Sequence, residues 1–140
     1  MKYLQLLLIP FVILALNACS SSSDSDDEPV VSAPSSISGK SVKITVSSGS
    51  GGFASTGTAE MVFSNTTNQY IINGDTVNVA DSAGTFLYSS SSNKGTIAVD
   101  DSGFGKGNFN LTFTSTISGT YTADMEQNPS ASQKGSFEVQ

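Results

Sequence analysis

The chain contains no histidine, no tryptophan and no arginine, and its 140 residues include a single cysteine. One cysteine cannot form an internal disulfide, and without histidine there is neither a Cys/His zinc set nor a Ser-His or Cys-His catalytic pair. Charged residues make up only 13% of the chain and apolar residues 37%, both below ordinary globular usage, and Ser, Thr, Gly and Asn fill the difference. The formal net charge of −6 argues against nucleic acid as a partner. No 3.6-residue apolar periodicity stands out anywhere after the first 20 residues, so amphipathic helices are not expected there.

What is present begins with an apolar run, Tyr3 to Leu16, behind the single positive charge of Lys2. It is shorter than the ~20 residues a helix needs to cross a bilayer and has the proportions of a signal-peptide core. It ends in Leu16-Asn17-Ala18-Cys19. This tetrapeptide resembles the lipobox of bacterial lipoproteins. The resemblance implies that residues 1–18 are a cleaved leader and that Cys19 carries a diacylglyceryl thioether, its new N-terminus then being acylated. A thiolate is the side chain nucleophilic enough for that transfer near neutral pH. Several acyl chains give stable attachment where one would not. Ser rather than Asp at position 20 implies, by the same resemblance, the outer membrane. An ordinary secretory cleavage near Ala18 and an uncleaved anchor are the competing readings.

Residues 19–35 read as a lipidated cysteine and an acidic, Ser-rich tether with Asp24, Asp26, Asp27 and Glu28 and no positive charge. Such a segment buries too little apolar area to offset its chain entropy. The acidic cluster also resembles the surface-export signals of some bacterial lipoproteins, so periplasmic and surface placement both stay open.

From residue 36 to 140 the hydrophobic period is two. Val42, Ile44 and Val46 alternate with polar residues, as do Ala59, Met61 and Phe63, then Phe109, Leu111 and Phe113, then Tyr121, Ala123 and Met125. Strict alternation describes strands with one dry and one wet face. Glycine followed by Thr or Ser recurs at residues 57, 84, 95, 119 and 135 as strand-entry punctuation. Asn73-Gly74, between Tyr70-Ile72 and Thr76-Val79, predicts a tight type I′ hairpin, and Ser118-Gly119 another short turn. With no helix to cover the apolar faces, the sheet must close or fold into two layers. The expectation is an all-β fold, a small antiparallel up-and-down barrel of about eight to nine strands, with a β-sandwich as the alternative. The Thr-rich strands, glycine turns and terminal Gly119-Thr120-Tyr121 and Gly135-Ser136-Phe137 resemble small calycin or lipocalin-like barrels.

No catalytic residue, cofactor site or metal site emerges. Asp100-Asp101 reads as an exposed strand end without the spacing of a calcium loop. Asp124 and Glu126 lack a cleft, and Gly103 to Gly107 lacks the helix a phosphate cradle needs. Phe53 and Phe104 lie in glycine-rich loops outside the alternation, where they cap the core or meet a partner. Met61, Tyr70, Tyr88 and Tyr121 are the candidate interior residues for a ligand site. The functional expectation is a non-enzymatic lipoprotein, held to the membrane through the lipid on Cys19, whose barrel binds a small apolar or amphipathic ligand. Its alternatives are an envelope interaction module contacting protein or glycan, and a calycin-like isomerase or cyclase. Replacing Cys19 by Ser should abolish incorporation of labelled palmitate and leave an unprocessed, unlipidated chain, as read by gel shift and mass spectrometry.

Overall fold

A computed structural model describes residues 30–75 and 77–140. The leader, Cys19 and the acidic residues of the tether lie outside the described residues. The strands are β1 Ser41–Ser50, β2 Gly57–Phe63, β3 Gln69–Gly74, β4 Ser82–Ser91, β5 Lys94–Asp101, β6 Gly105–Phe113, β7 Ser118–Met125 and β8 Asn128–Val139. Each pairs antiparallel with its sequence neighbours, and β1 pairs with β8, closing an eight-stranded meander barrel. This is the calycin-like up-and-down barrel, not the sandwich.

The alternating residues form the interior. Val42, Met61, Phe63, Tyr70, Ile97, Phe113 and Tyr121 are each at most 2% exposed. The rings meet edge to face across strands, with Phe63 and Phe86 centroids 4.7 Å apart and Phe113 and Phe137 4.8 Å apart. An eight-stranded barrel is just wide enough for its side chains to fill, and here they do so through the middle.

Small residues make the filling fit. Tyr121 pairs with Gly135 across β7 and β8. A Cβ at Gly135 would stand 2.9 Å from the Tyr121 ring and against the Thr45 carbonyl oxygen of β1. At Gly95 a Cβ would lie 2.7 Å from the Tyr88 hydroxyl. Both glycines leave room for a tyrosine ring; Gly95 stands at the start of β5, as expected, whereas Gly135 does not mark a strand entry but allows close strand approach. Gly135 sits well inside β8.

The two barrel ends differ. One is plugged by the chain that leads into β1. Ile37 is fully buried, and Val31 and Ala33 pack on the core. The Ala33 amide donates to the Ser92 carbonyl at 2.8 Å, and the Tyr88 hydroxyl to the Pro34 carbonyl at 3.0 Å. The packed segment thus starts at Val31, inside the stretch expected as tether, because its alternate small apolar residues find a groove beside the β4–β5 turn.

Two expected turns differ as well. Asn73 and Gly74 continue β3, paired with Glu60 and Ala59, and neither has a positive φ. Val77 to Val79 lie in the β3–β4 loop, with Val77 83% exposed, because the Asp75 carboxylate gathers the local amides that a strand would need. Ser118 and Gly119 open β7; the reversal is made by residues 114–117, where the Ser115 hydroxyl accepts from the Ser118 amide at 3.0 Å.

Gly135→Ala should cost about 2 kcal/mol or more by overpacking, whereas Ser136→Ala, on the outer wall, should stay within about 0.5 kcal/mol. Urea denaturation of both variants measures the difference.

Candidate functional site

An antiparallel meander sends alternate loops to the same end. The β1–β2, β3–β4, β5–β6 and β7–β8 connections therefore share the end opposite the plug. Between them lies a cup of about 250 Å³. Its floor is made of inward residues toward this end of four strands, Ile44, Ile72, Phe109 and Met125, and its rim carries Phe53, Val79 and Phe104. Aromatic contacts run from rim to core: Phe53 to Phe104 at 5.8 Å, Phe104 to Phe109 at 6.3 Å and Phe109 to Tyr121 at 6.1 Å. The rim phenylalanines are thus part of the packed structure while still facing the hollow.

Three polar side chains pin three of the loops. Asp101, 5% exposed, ends β5 pointing inward. Its carboxylate accepts from the Tyr70 hydroxyl at 2.5 Å, the Ser82 hydroxyl at 3.0 Å, and the amides of Gly103 at 2.7 Å and Phe104 at 3.3 Å. It therefore fixes the β5–β6 turn and the ring of Phe104 that follows it. The buried Gln133 accepts from the Tyr121 hydroxyl and donates to the Ala54 carbonyl, both at 3.0 Å, and so holds the β1–β2 loop. Asp75 accepts from the amides of Val77, Asn78 and Val79 through one oxygen and from Thr58 through the other. Those backbone donors, Val79 first, hold its carboxyl far below the ordinary carboxylate value. Asp81 also lines the cup, its Oδ1 accepting from the Gly74 amide at 2.8 Å. Among the described residues no buried polar side-chain atom lacks a partner.

The residues expected to line an interior ligand site sit elsewhere. Met61 is sealed in the mid-barrel core at 0% exposure. The hydroxyls of Tyr70, Tyr88 and Tyr121 are bonded to Asp101, Pro34 and Gln133. Burial raises the Tyr70 phenol pKa well above its usual value, with the Asp101 contact adding to it; burial alone raises that of Tyr121 and is the main cause at Tyr88. None of the four lines the cup.

Asp101 is the main correction among the charged residues, since it was expected to be exposed. The phase of Ile97 and Val99 points to it, one pleat further along β5. Ala131, Gly135 and Phe137 point in the same way to Gln133. Asp124 sits on the outer wall, accepting from the Asn108 and Asn110 side-chain amides at 3.1 and 3.2 Å. The glycine-rich Gly103 to Gly107 spans the tight β5–β6 reversal and the start of β6, with Gly105 at a φ of 79°. Comparison with protein-family models, curated proteins and solved structures found no match to this chain. Fold and site define it as a filled calycin-like barrel with one plugged end and one apolar cup.

Because the folded Asp75 carboxyl is held below its unfolded value, its contribution is complete above the ordinary carboxylate range and is lost as pH falls through the folded value. The amide signals of Asn78 and Val79 should therefore keep their native NMR shifts down to about pH 4 and move only in stronger acid. In Asp75→Ala they should be displaced at every pH.

Proposed function

We propose that this protein is a lipid-anchored component of the bacterial outer membrane, attached through Cys19, whose barrel is a non-enzymatic binding domain. Its ligand is a small apolar or amphipathic group received in the cup. The cup is the observation that carries this reading. It joins an apolar floor to loops held in place before any ligand arrives, and preorganisation of that kind lowers the entropy lost on binding. The position of the plug agrees with it. The chain enters the barrel from the tether side at Val31, and the cup opens at the other end.

The filled interior favours a second reading, an interaction module. A cup of about 250 Å³ is smaller than the ~300–1,000 Å³ of ordinary ligand sites. It suits one ring or one partner side chain better than a long lipid. The isomerase or cyclase alternative needs an inward ionisable group free to act. Asp101, the buried carboxylate at this end, already accepts from four protein donors, which supports a structural role for it.

Titrating the full chain with 2-phenylethanol, a neutral single-ring probe, should shift the NMR amide signals of Phe53, Ala54, Val79 and Phe104 saturably. Phe104→Ala should weaken that binding several-fold. Shifts scattered over the outer wall, or none, would contradict the proposal. Native mass spectrometry of protein from its own host separates the two readings, since a carrier retains a small molecule and an interaction module retains a partner chain.

A further inference from the structure

We infer that the cup selects a small organic cation, an aromatic or short-chain amine, over neutral and anionic molecules of the same size; this rests on the reading of the cup as a binding site. The four loops that frame it carry Asp75, Asp81 and Glu126 and not one lysine, and the chain has no arginine at all. Asp81 lines the hollow directly, and the Gly74 amide bond fixes one of its oxygens to the end of β3. The carboxylate, although exposed, is thus tied to the wall by a backbone amide. Phe53 and Phe104 line the same hollow, and the face of an aromatic ring attracts a cation. Lys106 is the lysine next to this end in sequence, yet it is exposed on β6, paired in register with Asp100 of the outward-facing row. An ammonium entering the cup therefore meets a carboxylate tied to the wall and two aromatic side chains while its apolar part covers the floor. A carboxylate or phosphate, including that of a fatty acid or an anionic lipid, meets like charge and no cationic partner. The size of the hollow, about 250 Å³, limits the occupant to one ring with a short amine arm or an aliphatic equivalent.

Three probes of one size test this on the full chain by NMR titration: 2-phenylethylamine, 2-phenylethanol and phenylacetate. At low salt the amine should bind roughly three- to tenfold tighter than the alcohol, with phenylacetate the weakest. The preference for the amine should shrink in about 0.5 M NaCl, as screened attraction must. Asp81→Asn, which keeps an acceptor for the Gly74 amide, should bring the amine down to the affinity of the alcohol. Glu138→Gln, the same charge change on the outer wall near the plugged end, should leave the preference intact. An alcohol that binds as tightly as the amine, or an amine preference that survives in Asp81→Asn, would overturn the charge selection while leaving the cup as a binding site. Failure of all three probes to shift the loop amides would overturn both.

Discussion

The pairing of β1 with β8 is the constraint on which the rest depends. Each of the eight strands has one apolar face, and among the described residues no helix covers it. An open sheet would leave that face wet and two edges unpaired. Antiparallel pairs running from Val42 with Val139 to Ser50 with Ser132 remove both problems together. Closure fixes the interior width, the width fixes how much side-chain volume fits, and the facing glycine and tyrosine positions follow. It also sends alternate loops to one end, which is how four segments distant in sequence come to frame a single hollow.

The ends of such a barrel are its weak points, because the last inward side chains have nothing above them. This protein treats them differently. At one end the entering chain supplies Ile37, Val31 and Ala33 as a plug. At the other, the loops are drawn in by Asp75, Asp101 and Gln133, which satisfy backbone groups or the tyrosine hydroxyls beneath. Buried polar groups are tolerable only when bonded, and the two buried ones, Asp101 and Gln133, both have partners. The cup is what remains above that bonded layer. Its acidic surroundings and its apolar floor then give it a chemical preference that a hydrophobic interior alone would not have.

Much of the architecture was legible in the residues. The period of two, the absence of helical patterning and the short connections led to an all-β meander barrel, and the inward phases of Val42, Met61, Phe109 and Tyr121 agree with their burial. The site was less legible. Buried tyrosine hydroxyls read as groups in need of a partner, a ligand being one option, but the partners could not be named, since Asp101, Gln133 and Pro34 lie 31, 12 and 54 residues away, and one strand's pattern does not reveal its neighbour's register. Asn73-Gly74 carried a strong local turn signal that pairing with β2 overrode. Phe53 and Phe104 stood out by breaking the alternation, and they do line the cup. What their position could not convey was that separate loops would bring the two rings within 5.8 Å of each other.

Hydrogen exchange along the β1–β8 seam is the most direct test. In a closed barrel the seam amides, Lys43 and Glu138 among them, exchange only through global unfolding, as slowly as those of central strand β6 around Leu111. Fast exchange confined to β1 and β8 while β6 stays protected would mean an open sheet with free edges. The plugged end, the bonded loops and the cup would then have no frame to hold them.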